Sequence, residues 1–149
     1  MLGETSSFSD FRDCFHTYGE NYRWESHEVV TQDGYKLNMF RIMSEEETPY
    51  GPILIQHGTG QSAVGWFLDK SEEEYSTLPI VMAKAGYDVW LGNTRGSKFS
   101  IEHETFRSSG DPDYWKFSWA EIGKYDLPAM IDYIYEESDQ QQITYLGHS

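Results

Sequence analysis

The chain has 149 residues, enough for one domain with a real core and too few for two of ordinary size. Its 11 Lys+Arg against 25 Asp+Glu leave a net charge of −14, which repels phosphate backbones and anionic headgroups and argues against a nucleic-acid partner. No stretch reaches the ~18 consecutive apolar residues of a membrane span, and one cysteine, Cys14, rules out an internal disulfide or a multi-cysteine metal site.

Residues 1–24 are polar, with scattered aromatics and no steady period. They are read as an N-terminal arm packed on a surface, ahead of a partial domain over 25–149. The start, M-L-G-E-T-S-S, has neither a basic segment nor an apolar core of the kind a secretion signal needs. The run H-E-V-V-T-Q-D-G-Y-K-L-N-M-F-R-I predicts strands near 27–32 and 35–43 about a tight turn at Asp33-Gly34, a pair suited to positive φ. The acidic runs 45–47 and 72–74 read as solvated loops.

The short runs Gly51 to Gln56 and Tyr87 to Leu91 are unbroken and apolar, as in strands buried on both faces of a parallel sheet. Between them Leu78, Val81, Met82 and Ala85 recur at helical spacing before Gly86, a favoured helix C-cap. A second helix is signalled by Leu127, Met130, Ile131, Ile134 and Tyr135, with Pro128 in its first turn and Asp126 as N-cap. Ser118 and Glu121 have the spacing of a capping box. The chain then runs Q-Q-I-T-Y-L, a third buried-type strand, into Gly147-His148-Ser149. A hairpin followed by alternating strands and helices makes the fold class α/β, with crossover helices on a mostly parallel sheet.

Two segments bear chemistry. A strand ending in Gly-His-Ser opens the G-x-S-x-G elbow, where a strained turn exposes the serine hydroxyl. Three residues are a weak signal, and an ordinary strand-terminal serine fits them equally well. Q-H-G-T-G at 56–60 follows the first buried strand, where such folds place an oxyanion loop, and the backbone N–H of Thr59 is its candidate donor. For His57 a structural role outweighs acid–base work. Trp66, Trp90, Trp115 and Trp119 are candidates for a pocket lining or for core.

The segments V-V-T-Q-D-G-Y-K-L, I-L-I-Q-H-G, A-G-Y-D-V-W-L-G-N-T-R-G, W-K-F-S-W-A-E-I-G-K-Y-D-L-P-A-M-I-D-Y-I and Y-L-G-H-S occur in the order and spacing of the acid lipases. From about Tyr18 to Ser149 the chain resembles the N-terminal portion of this family, the α/β-hydrolases that include gastric and lysosomal acid lipase. The resemblance implies the N-terminal half of an α/β-hydrolase fold with an incomplete sheet. It implies hydrolysis of triacylglycerol or sterol esters by a Ser-Asp-His triad, with Ser149 as nucleophile and His148 at the variable position before it. Thr59 and Gly60 stand where the family usually has two leucines; His57, Gly58, Gly60 and His148 are expected beside the substrate. Asn93, Arg95 and Gly96 match a family loop and are given structural roles, Arg95 as the partner of a carboxylate or carbonyl. Lys124, Tyr125 and Asp126 read as helix-start scaffolding. No cofactor and no metal are implied.

In this fold the triad Asp and His follow the nucleophile, and nothing follows Ser149 in this sequence. None of the five histidines stands where the family has its catalytic one. The strand at 143–146 is therefore expected to leave an edge that another polypeptide covers. Three readings stay open: an ester hydrolase completed by further polypeptide, a non-catalytic structural or interaction subunit, and a lipid- or acyl-binding module. The family is lysosomal or secreted, whereas the missing signal leaves an intracellular site or a larger assembly open.

Overall fold

The computed structural model describes residues 8–19, 21–67, 77–139 and 141–149; the acidic run at 72–74 and the first seven residues lie outside them. Helix α1 (Ser9–Tyr18) leads into a mixed sheet of β1 (Arg23–Val30), β2 (Tyr35–Met43), β3 (Pro52–Gln56), β4 (Asp88–Gly92), β5 (Glu102–His103) and β6 (Thr144–Gly147). Helix α2 (Leu78–Ala85) connects β3 to β4, and α3 (Trp119–Glu121) with α4 (Leu127–Glu137) precedes β6. The sheet order is β1-β2-β4-β3-β6, with β5 pairing β2. The β1–β2 and β2–β4 pairs are antiparallel, while β3 is parallel to both β4 and β6.

The hairpin turn differs from the expectation in one respect. Only Gly34 takes a positive φ, 94°, because the turn has three residues: Gly34 N–H donates to the Thr31 carbonyl and Thr31 N–H to that of Tyr35. Asp33 is thereby released for another purpose. β3 and β4 are buried along their whole length, as unbroken apolar runs require.

Each face of the sheet carries its own core. On one face Phe40, Ile53, Ile55, Val89 and Leu91 meet α1 and α2; on the other Leu54 and Trp90 meet Tyr114, Met130 and Ile134. The stretch before Glu25, polar and without evident period, thus holds a helix whose Phe11 and Phe15 are buried in the first core. Their spacing of four residues is one face of a single helical turn. α2 buries Pro79, Ile80 and Ala83 rather than the expected Leu78, Val81, Met82 and Ala85, and Val81 is 46% exposed. L-P-I-V-M-A-K-A is apolar nearly all round, so its period leaves the facing side undetermined. In α4 the buried residues are Met130 and Ile134, and Tyr135 is exposed.

The capping box at Ser118 and Glu121 is formed, but Asp126 caps nothing. A π-helical turn, Ile122–Asp126, joins α3 to α4 without a break, so no helix starts at Asp126 and its side chain makes no cap hydrogen bond. β6 is at the sheet edge among the described residues. Thr144, Tyr145 and Gly147 are exposed and Leu146 half-buried, so it is not the fully buried strand expected.

Candidate active site

Three connections leave the C-terminal ends of the parallel strands and surround one cleft. They are the loop after β3 (57–62), the loop after β4 (94–98) and the turn after β6, opposite a wall from Trp115 to Ile122. The cleft has a volume of about 990 Å³. Ligands in open α/β sheets bind at this end, where connections diverge.

The loop after β3 is built from its glycines. Residues 58–61 form a turn closed by Gln61 N–H donating to the Gly58 carbonyl at 3.1 Å, with Gly60 at φ 75° in its third position. Gly58 has another reason: a Cβ there would lie 2.9 Å from His148 Nδ1 and 3.2 Å from the His148 carbonyl oxygen. The two loops touch at this point. Thr59, between the glycines, is exposed on the cleft, and among the described residues nothing accepts its backbone N–H.

His57 braces the loop. Its Nδ1–H donates to the Gly58 carbonyl at 2.8 Å, and its Nε2 accepts the Thr94 backbone N–H at 3.2 Å, tying the β3 loop to the β4 loop. Since a backbone N–H can only donate, Nε2 is the unprotonated nitrogen and the ring is neutral. Burial pushes its pKa below the ordinary histidine value, against the opposing bond to Gly58. With both nitrogens occupied, His57 has no base to offer a serine.

The turn after β6 presents the candidate nucleophile. His148 N–H donates to the Gln56 carbonyl at 3.1 Å, continuing the β3–β6 ladder by one residue. Ser149 then takes φ 57°, a region that a non-glycine residue seldom occupies and that marks strained strand-to-helix elbows. Ser149, His148, Thr59, Gly58, Gly60 and His57 all line the one cleft. The structure thus brings these six site candidates to one place.

The loop after β4 is scaffold. Asn93 is wholly buried, accepting from Ala63 N–H and donating to the Asn38 carbonyl, both at 2.9 Å. Arg95 is 3% exposed and forks between two carboxylates: Nη1 and Nη2 donate to Asp33 at 2.6 and 2.8 Å, Nε and the backbone N–H to Asp126 at 2.7 and 2.8 Å. Its guanidinium lies 3.9 Å from the Tyr35 ring centre. Burial works to raise the Asp33 pKa, but the hydrogen bonds from Arg95 and Thr31 outweigh it and hold that carboxyl below its usual range. For the wholly buried Asp126, burial raises the pKa against the bonds from Arg95. Asp33, read as a turn residue, is thus a charge partner across the fold. No sequence spacing signals that pairing, because the two residues meet only through tertiary structure.

Gln56 also lines the cleft, 6% exposed, with neither amide atom hydrogen-bonded. Among the four tryptophans considered, Trp90 is core, Trp66 packs edge-on against the His148 ring at 5.9 Å, and Trp115 and Trp119 stand on the cleft wall. Among the described residues no group of three or more His, Cys, Asp or Glu is placed to hold a metal ion.

Residues 51–149 match the family model of the alpha/beta hydrolase fold, and residues 16–70 that of the partial alpha/beta-hydrolase lipase region. The chain belongs to the α/β-hydrolases. Within them it falls in the acid lipase family. Lipase member K of Mus musculus is 42% identical over 133 residues, covering 86% of this chain and 32% of its own length. Triacylglycerol lipase 2 of Arabidopsis thaliana is 42% identical, with 90% and 32% covered; gastric triacylglycerol lipase of Homo sapiens is 40% identical, with 86% and 32%. The α/β-hydrolase chain therefore spans about a third of the length of the relatives it matches. Among solved structures, an esterase of Pyrococcus furiosus superposes with TM-score 0.52 at 18% identity, over 99% of this chain and 46% of its own. A prolyl endopeptidase gives 0.52 at 20% identity, over 86% and 18%. These two likenesses bear on fold alone. No helix among the described residues is long and apolar enough to cross a membrane.

Proposed function

We propose that this α/β-hydrolase chain carries the nucleophile and one oxyanion donor of a carboxylic ester hydrolase acting on triacylglycerol or sterol esters. The observation that carries the reading is Ser149, at φ 57° where the parallel strand β6 ends, on the same cleft as the exposed Thr59 turn. In the reaction Ser149 Oγ attacks the ester carbonyl carbon and loses its proton to a base, which passes it to the departing alcohol; water then cleaves the acyl-serine. Thr59 N–H stabilises the oxyanion formed at each stage.

The base and its orienting carboxylate come from polypeptide beyond these residues. His57 is locked by two hydrogen bonds, and no Asp or Glu lies among the described residues lining the cleft. That polypeptide would also cover the β6 edge around 143–149. The test is complementation. The chain is mixed with the part of mouse lipase K that lies C-terminal to the matched region, and serine labelling by a fluorophosphonate and p-nitrophenyl ester hydrolysis are followed. Both should appear only in the mixture and vanish with Ser149→Ala. Association of the two pieces with equal rates for the variant and the parent would sink the catalytic reading in favour of a structural subunit.

A further inference from the structure

We propose that Trp115 and Trp119 form the wall on which the hydrocarbon chain of the ester lies, with Trp119 as its principal contact. The inference rests on the ester-hydrolase reading of the cleft and adds where, and against what, the acyl chain is held.

Trp119 is 84% exposed and Trp115 49%, and both stand on the cleft that holds Ser149 and Thr59. A large aromatic left in water forgoes the free energy of burying its area, so a pair of them on one concave surface marks a place where something apolar binds. Each is held on a fixed support. The Trp119 backbone starts α3 inside the capping box: Ser118 Oγ accepts the Ala120 N–H at 3.1 Å, and Glu121 accepts the Ser118 N–H at 2.7 Å. The π-helical turn Ile122–Asp126 follows at once, locked from below by the Arg95–Asp126 pair. Trp115 donates its Nε1–H to the Ser108 carbonyl at 2.8 Å and packs edge-on against Tyr114 at 4.8 Å. With Phe117 it lies over Gly96, where a Cβ would come within 3.1 Å of Trp115 and 2.9 Å of Phe117. The Trp115 ring is held by these contacts and the Trp119 ring stands on a fixed backbone, so a chain laid on this wall restricts chiefly the Trp119 side chain.

Charge identifies the occupant. A chain carrying 25 Asp and Glu puts none of them on this cleft among the described residues. Of the cations there, Arg95 is committed to Asp33 and Asp126, and Lys98 to Asp10. The surface left over is polar at Thr59, Gln56 and Ser149 and aromatic at Trp115, Phe117 and Trp119. That division matches a neutral ester: carbonyl at the loop end, unbranched chain along the indoles. Trp90, buried in the core, and Trp66, engaged with His148, are not part of the wall.

The experiment uses the full chain labelled with 5-fluorotryptophan, its five tryptophans assigned in fluorine NMR by single Trp→Phe variants. The probes are hexyl, octyl and decyl monoethers of glycerol below their micelle concentrations, which are neutral and cannot react with a serine. The Trp119 and Trp115 signals should shift saturably while Trp90 stays put, with affinity rising about fourfold per added methylene. Trp119→Ala, read from the Trp115 signal, should weaken binding at least tenfold, and Trp119→Phe should recover most of it. Trp119 and Trp115 signals that do not move, shifts confined to Trp66, or an unchanged chain-length increment in Trp119→Ala would overturn the proposal. The ethers need no nucleophile to bind, so their binding is read without hydrolysis. Failure of ether binding alongside serine-dependent hydrolysis in the complemented protein therefore sinks only this wall.

Discussion

Gly58 and His148 are in contact across two loops: the methyl group that Gly58 lacks would sit 2.9 Å from the His148 ring and 3.2 Å from its carbonyl oxygen. Two residues before Gly58, the Gln56 carbonyl takes the N–H of the same His148. The proposed oxyanion loop and the nucleophile turn are thus set against each other by one hydrogen bond and one missing side chain.

Substituting the two loop glycines should separate these effects. In Gly58→Ala the new methyl pushes on the exposed His148 ring and its backbone, and the ring can swing into solvent, so thermal unfolding should shift by no more than a few degrees. Serine labelling in the complemented protein should fall by tenfold or more, because the turn carrying Ser149 moves with His148. Gly60→Ala meets nothing within 4 Å but must adopt φ 75°, at a cost of about 1 kcal/mol in the turn. Urea unfolding of both variants, set beside labelling rates, checks the split. Gly58→Ala labelling at the parental rate would show that the contact has no bearing on the serine.

Arg95 is the next lever. Removing the charge in Arg95→Met leaves Asp126 buried with no cation beside it, and breaking a buried pair in this way costs about 3–5 kcal/mol. Arg95→Lys keeps the charge but loses the fork that reaches Asp33 and Asp126 together, so it should recover less than half of that loss. Urea denaturation midpoints of the parent and both variants measure this. Asp126→Asn in the Arg95→Met background should restore part of the stability, since the uncompensated carboxylate is then gone.

How much of this was legible depended on whether a local pattern had one structural solution. The runs ending at Gln56 and Leu91 admit only buried strands, and Ser118 with Glu121 admits only a cap, so these elements appear where expected. L-P-I-V-M-A-K-A is apolar on every side, and its buried face is chosen by the sheet beneath it. Phe11 and Phe15 carried a usable signal, a four-residue spacing, hidden in a polar surround. Asp126 had a helix-start context, yet the π-helical turn removed the start and left its carboxylate for Arg95. In the candidate site, Ser149 and Thr59 could be singled out from the sequence because motif and backbone chemistry are local, and both line the cleft. The Asp33–Arg95 pair and the unpartnered Gln56 amide arise only when distant segments meet.

His57 gives a pH dependence with a defined sign. Its folded pKa is lowered, chiefly by burial, so between that value and the ordinary histidine pKa of about 6.5 the unfolded chain binds more protons than the folded one. The contribution of His57 is fully present above pH ~6.5 and is lost progressively as pH falls below it. In His57→Gln this component should disappear. The difference in melting temperature between parent and variant should be larger at pH 8 than at pH 5, and scanning calorimetry across that range checks it. A constant difference would mean that the ring is not held neutral by its surroundings.

Tyr114 supplies the corresponding test on the alkaline side. It is wholly buried, donates its hydroxyl to the Ser100 carbonyl at 3.4 Å, and has a pKa pushed up to about 12, chiefly by burial. A raised folded value means that the protonated form is favoured by folding. The stability it gives is complete below the ordinary tyrosine pKa of about 10 and is lost as pH rises towards 12. Ultraviolet titration should therefore show most of the eleven tyrosines ionising ahead of one late step that coincides with loss of near-ultraviolet circular dichroism. Tyr114→Phe removes only a long hydrogen bond, so at neutral pH it should change stability by less than about 1 kcal/mol, while abolishing the late step and flattening the fall in stability above pH ~10. A late step that persists in Tyr114→Phe would assign it to another buried phenol.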